Sequence, residues 1–235
     1  MAGANVVFEK KMLMGCTGVT LFGCLLEIIA VSTDSWLHFH ILAGLYQNKT
    51  NTFLLRVQSG LWRVCRTTSP NQSDSSLEKT DCEVHNFFPT RQEIMYDESI
   101  DNQILDYMRT GCAFSIIGMC LMALVHLFAF YTIRRPRYII KRLTALLHIM
   151  TAACVIVTNE VFIRTTEYAT DNLPGRIPKA AIHWYGYSFV ISWIVFVLYV
   201  VAGLAFLFLS HKRKPDISGM ENTMAEEDEP MQLKR

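Results

Sequence analysis

The chain has 235 residues, 51% of them hydrophobic and 18% charged, and its 22 Lys and Arg against 21 Asp and Glu leave a formal net charge of +1. A balance this close to neutral gives no basic surplus for a nucleic-acid partner, and none is expected. The apolar residues are gathered into long runs, which excludes an ordinary soluble globular chain.

Four such runs lie near Met12–Val31, Gly111–Ile133, Leu143–Ile163 and Tyr185–Leu209. Each holds about twenty residues or more, enough at ~1.5 Å per residue to cross a ~30 Å hydrocarbon core. The second and fourth contain no Asp, Glu, Lys or Arg, whereas a soluble helix of that length needs a charged face. The chain is therefore expected to contact the lipid bilayer through four spans. The first run follows Lys10 and Lys11. Its apolar core is longer than the ~7–15 residues of a signal-peptide core, and "EIIAVSTDSW" has no small-x-small cleavage site, so it is expected to remain as a span.

Residues 34–109 make a segment too long for a passive connector and suited to a small folded layer. "NTFLLRV" and "SGLWRVC" carry the β-branched and aromatic content of strands, and "TTSPNQSDSS" between Cys65 and Cys82 reads as a hairpin tip. Cys65 and Cys82 are the only loop cysteines; Cys16, Cys24, Cys112, Cys120 and Cys154 fall in apolar spans, where a thiol behaves as a small hydrophobe. A sheet this small has little core of its own, and a Cys65–Cys82 disulfide is expected to staple it. The sequons Asn48-Lys49-Thr50 and Asn71-Gln72-Ser73 lie in the same loop, marking Asn48 and Asn71 as glycan acceptors. Toward its end, "RQEIMYDESIDNQILDYMRTG" predicts a short amphipathic helix with Ile100, Ile104 and Tyr107 on its apolar side. Glu93, Asp97, Glu98, Asp101 and Asp106 would be exposed, as a solvated face or as a docking patch for a basic partner.

Arg134, Arg135, Arg137, Lys141 and Arg142 separate the second and third runs, and Lys212, Arg213 and Lys214 follow the fourth. The Lys and Arg bias places both termini and the short middle loop in the cytoplasm, with residues 34–109 and 164–184 outside. Loop cysteines and sequons agree with that orientation. The tail, residues 211–235, is polar with an acidic "EEDE" and no apolar periodicity, and is expected to be disordered. Its terminus "MQLKR" does not look like a PDZ-binding end.

Ionisable residues inside spans cost about 2.5–3.5 kcal/mol near the bilayer centre. Glu27, Asn159 and Glu160 are therefore expected either to bond within the bundle or to meet a partner. His126 and His148 lie at similar depths near the cytoplasmic ends of adjacent spans. Without further ligands they make a poor metal site and are expected to form a hydrogen-bonded pair. The sequence carries no nucleophile, metal or phosphate motif, so neither an enzyme nor a cofactor is expected.

Trp36 outside the first run, then Gly60-Leu61-Trp62, then Cys65 and Cys82, resemble the signature of the claudin superfamily. "AVSTDSWL", "SGLWRVC", "FFP" at 87–89, "FYTIRR" and "YGYSF" are similar to the voltage-gated calcium channel gamma subunits and the stargazin-type AMPA receptor regulatory proteins. "TNEVFIR", with Glu160, resembles the skeletal-muscle gamma type in particular. The resemblance implies a membrane α+β fold over residues 1–210. That fold is a left-handed bundle of four transmembrane helices capped by a small extracellular antiparallel β-sheet, four strands from the first loop and one from the second.

In function it implies a plasma-membrane auxiliary subunit that binds laterally to a pore-forming channel subunit and changes its gating or trafficking. The partner would be a voltage-gated calcium channel or an AMPA-type glutamate receptor; the alternative is a claudin-like protein of cell–cell contacts. The tail and the "TRQ" at 90–92 that breaks the acidic segment depart from stargazin. Read physically, Trp36 and Trp62 are amphipathic rings suited to the membrane interface, and Gly60 permits close backbone approach or a bulge, so Trp36, Gly60, Leu61 and Trp62 form a structural mount. Partner contacts then fall to Asn159 and Glu160 on the membrane surface, or to Glu93, Asp97, Glu98 and Asp101 on the outer face.

Overall fold

The computed structural model describes residues 2–47, 51–70, 77–96, 101–135, 137–173, 177 and 181–210. In chain order the elements are α1 (Ala2–Ser32), β1 (Leu37–Gln47), β2 (Thr52–Ser59), β3 (Arg63–Ser69), β4 (Lys79–Val84), α2 (Arg91–Tyr96), α3 (Asn102–Arg134), α4 (Tyr138–Asn172), β5 (Ala181–Tyr185) and α5 (Tyr187–Phe208). The expected acceptors Asn48 and Asn71 and the tail 211–235 lie outside the described residues.

α1, α3, α4 and α5 are long and apolar enough to cross a membrane, and the protein is a multi-pass membrane protein. Contacts of α1 with α3 and α5, and of α4 with α3 and α5, close the four into a ring. Met122, Val125, Ala152, Val155, Val195 and Tyr199 fill its middle. Large apolar residues such as Phe22, Leu127, Phe130 and Val201 are exposed on the outside, the arrangement expected where the surrounding solvent is hydrocarbon.

The helices outrun the apolar runs. α3 has 33 residues and α4 has 35; at ~1.5 Å per residue each is about 50 Å long and overshoots a ~30 Å core. The overshoot of α3 corrects one expectation. "RQEIMYDESIDNQILDYMRTG" is not a separate amphipathic helix: it divides into α2 and the first turns of α3, with residues 97–100 outside the described residues. Ile104 and Leu105 are buried there, Ile104 against Leu37 and Phe39 of the sheet. Likewise, much of residues 164–184 is the last part of α4 and not loop.

The sheet has the order β4-β3-β2-β1-β5 with every neighbouring pair antiparallel. The first loop supplies four strands and the second supplies β5, as the resemblance implied. Side chains alternate along β1. Leu37 and Phe39 turn inward and pack with Ile104, Ala169, Leu173 and Ile177, seating the sheet on the protruding ends of α3 and α4. "SGLWRVC" proves to be two strand ends and the turn between them, since Ser59 closes β2 and Arg63 opens β3.

Candidate functional site

The turn at Gly60-Leu61-Trp62 is held from three sides. Arg63 grips Asp34, just past α1, with both arms: Nε donates to Oδ1 at 3.1 Å and Nη2 to Oδ2 at 2.7 Å. The Cys112 thiol of α3 donates to the Leu61 carbonyl at 3.4 Å, and the His85 amide donates to the Trp62 carbonyl at 2.8 Å. A Cβ on Gly60 would sit 2.8 Å from the Thr33 carbonyl oxygen and 2.9 Å from Asp34 Cα, so the turn needs glycine for close approach. Cys65 and Cys82 face each other across β3 and β4 and are joined, S–S 2.04 Å. In the loop-entropy account, a closure of this size contributes ~3 kcal/mol.

Trp36 departs from its expected place at the membrane interface. It is fully enclosed. Its Nε1–H donates to the Ala30 carbonyl at 2.7 Å, one of the last carbonyls of α1 that have no partner within the helix. Its ring meets Phe162 of α4 at 5.1 Å and Phe189 of α5 at 6.1 Å. Trp36 thus locks the ends of three helices together from inside. Trp62 is only half-buried and meets Phe87 edge-on at 6.5 Å.

Sequence reasoning missed Gly186. Its amide donates to the Trp36 carbonyl at 2.9 Å, and the Ser188 amide donates to the Ser35 carbonyl at 3.2 Å. A Cβ there would lie 2.1 Å from the Ser35 carbonyl oxygen, so α5 starts where backbone meets backbone. The "YGYSF" string was the only available signal. Beside it, His38 lies flat against Trp184 at 5.7 Å, and burial holds its imidazole below the ordinary histidine range.

The intramembrane polar residues separate by facing. Glu27 and Asn159 are buried on either side of Ser192, whose hydroxyl reaches Glu27 Oε1 at 3.3 Å and Asn159 Oδ1 at 2.8 Å. One hydroxyl proton serves only one of them at a time. Ser115 lines the same small cavity as Glu27, so α1, α3, α4 and α5 each give a polar residue to this cluster, among others that they bury. Asn159 is fully enclosed and is therefore not placed to touch a partner, contrary to expectation. Glu160, one residue on, is exposed.

His126 and His148 are not a mutual pair. Nδ1 of His126 meets the Met122 carbonyl at 2.6 Å, and Nδ1 of His148 meets the Thr144 carbonyl at 2.7 Å. Each Nδ1 is bonded four residues back on its own helix, while each buried Nε2 has no hydrogen-bond partner among the described residues. His148 is also stacked on Phe206 at 4.9 Å.

The acidic outer residues are partly committed within the fold. Glu93 and Thr90 form a capping box at α2, Thr90 N to Glu93 Oε2 at 2.7 Å and Glu93 N to Thr90 Oγ1 at 3.3 Å. Tyr168 donates its hydroxyl to Asp101 at 2.5 Å, and Asp106 pairs with Arg109 at 3.2 Å. Asp97 and Glu98 lie outside the described residues. Among the described residues no three His, Cys, Asp or Glu side chains are grouped to hold a metal. Among the described residues the arrangement offers surfaces for contact and no catalytic constellation.

A family model described as PMP-22/EMP/MP20/Claudin tight junction matches residues 21–208. The voltage-dependent calcium channel gamma-7 subunit of Homo sapiens is 28% identical over 192 residues, 81% of this chain and 67% of that protein. The gamma-5 subunit of Mus musculus is 26% identical over 189 residues, 79% of this chain and 65% of its own length. The gamma-1 subunit of Sus scrofa is 23% identical over 210 residues, 84% and 89% of the two chains. The chain spans about two thirds of the gamma-7 and gamma-5 relatives and most of gamma-1.

Proposed function

The chain belongs to the PMP-22/EMP/MP20/claudin family, and from that premise we propose that it is a gamma-type auxiliary subunit of a voltage-gated calcium channel, acting by lateral contact with the pore-forming subunit. Residues 1–210 form the membrane unit and 211–235 its cytoplasmic tail. In this reading the protein sits in the plasma membrane with both termini inside, the sheet outside, and glycans on Asn48 and Asn71.

The observation that carries the reading is the outward stripe of α4. Leu146, Met150, Ala153, Glu160, Arg164 and Glu167 are all exposed along it. Arg164 and Glu167 pair with each other at 2.8 Å, while Glu160 has no ionic partner among the described residues. Counted from Leu143, Glu160 stands ~26 Å along the helix, near the outer edge of the hydrocarbon. A carboxylate there is best matched by a polar or basic group on a neighbouring helix, where association rests on packing and interhelical hydrogen bonds. Because Glu93 and Asp101 already hold structural bonds, the membrane surface supports the reading better than the acidic outer face.

Purification of the full chain with co-expressed pore-forming calcium channel subunit, in mild detergent, tests it. Recovery of the channel supports the reading. Failure to recover it, with the chain gathered at cell–cell contacts, supports the adhesion alternative.

A further inference from the structure

The end of the bundle opposite the sheet carries six exposed cations, Lys10, Lys11, Arg134, Arg135, Arg137 and Arg142. Glu9 is the one carboxylate at that end among the described residues, and it bonds Lys141, with side-chain exposures of 17% and 11%. That partly buried pair is neutral overall and ties α1 to α4. None of the six exposed cations has a carboxylate within ion-pair distance among the described residues.

Their placement is concerted. Arg134 ends α3, Arg137 precedes α4 and Arg142 lies within its second turn, its guanidinium over the Tyr138 ring at 4.4 Å. Ser210 Oγ donates to the Tyr138 carbonyl at 3.3 Å, so the chain leaves the bundle at this spot, and the sequence continues within four residues to Lys212, Arg213 and Lys214. Four of the six exposed cations are arginines, whose planar forks take phosphate oxygens two at a time. Orientation alone needs positive charge of either kind; it does not need four exposed arginines without an ion-pair partner among the described residues.

We propose that this ring is a binding site for the multiply phosphorylated headgroup of a phosphoinositide in the adjoining leaflet. A headgroup with several phosphates can engage Arg134, Arg135, Arg137 and Arg142 together, which a single-charge lipid cannot do. Clusters of four to eight Lys or Arg beside a span attract anionic lipid in proportion to their number. Which leaflet is involved rests on the orientation given under Proposed function; binding itself does not.

The test uses the full chain in detergent micelles, titrated with headgroup-labelled, short-chain phosphatidylinositol 4,5-bisphosphate and read by fluorescence anisotropy. The variant Arg134→Gln/Arg135→Gln/Arg137→Gln is compared with a control at the other end, Lys79→Gln/Arg91→Gln, both exposed residues. At about fivefold per cation, the triple variant is expected to bind on the order of a hundredfold more weakly. The control should match wild type, and phosphatidylserine of equal chain length should compete poorly. Equal loss in the control, no loss in the triple variant with unchanged helicity, or equal competition by phosphatidylserine would overturn the proposal. Loss of the channel partner in co-purification would leave this binding intact, so the two readings fail separately.

Discussion

Changing Trp36 to Phe removes one proton donor while keeping an aromatic ring in place, which isolates the indole's bond to α1. Trp36 and Ala30 are both fully buried, and the bond between them is 2.7 Å. Without Nε1–H the Ala30 carbonyl keeps only the Thr33 hydroxyl, at 3.2 Å, as a donor, and loss of the shorter bond costs about 0.5–1.5 kcal/mol. Trp36→Ala also empties the space between Phe162 and Phe189, at about 3–5 kcal/mol in all. Trp62→Phe is the control, because that ring packs only at the edge of the same cluster and is half-buried. The assay is thermal unfolding of the full chain in one detergent. For a chain of this size ~1 kcal/mol moves the midpoint by roughly 2–4 °C, so Trp36→Phe should lower it by about 1–6 °C and Trp36→Ala by more. A Trp62→Phe variant less stable than Trp36→Phe would refute the placement of Trp36 as the inner lock.

Gly186→Ala should destabilise the chain by ~1–3 kcal/mol or more, because its Cβ must push back the Ser35 carbonyl; a midpoint equal to wild type in the same assay would contradict the close approach. Burial lowers the His38 pKa, so the unfolded chain binds the proton more readily. The contribution is complete above the ordinary value of about 6.5 and is lost as pH falls through that value toward the folded one. His38→Gln should flatten the fall in midpoint over that range, and an unchanged slope would remove His38 as its source. Asn48→Gln and Asn71→Gln should each remove one step of the mass lost on enzymatic deglycosylation. A terminus labelled from outside intact cells would overturn the topology.

The spans were legible because hydropathy reports the solvent around a helix, and lipid demands long apolar runs. Hydropathy does not report which way a polar residue faces. Glu27 and Glu160 both stand near the outer ends of their spans, yet Glu27 turns to Ser192 and Glu160 turns away from the bundle. Neighbouring Asn159 and Glu160 point apart because successive helical residues are about 100° apart. Trp36 was misplaced for a similar reason: an amphipathic ring suits the interface or a buried bond to a helix end, and only the packing of Phe162 and Phe189 decides. The extension of α3 was hidden because Ile104 is buried against Leu37 and Phe39 of the sheet and not by the membrane. The strand count came through the family resemblance, as alternation is broken by the turn at Gly60 and by register shifts between His40 and Leu45 and between Leu54 and Arg56.

A gamma-type subunit, as proposed, would alter a calcium channel from the side, through the membrane surface of α4. The direct measurement is the voltage dependence of current from a pore-forming calcium channel subunit, alone, with the full chain, and with Glu160→Gln. The wild-type chain should shift the voltage midpoint away from that of the channel alone. Glu160→Gln, delivered to the surface at equal level, should return it most of the way. Currents identical in all three conditions, with both chains at the surface, would contradict the claim.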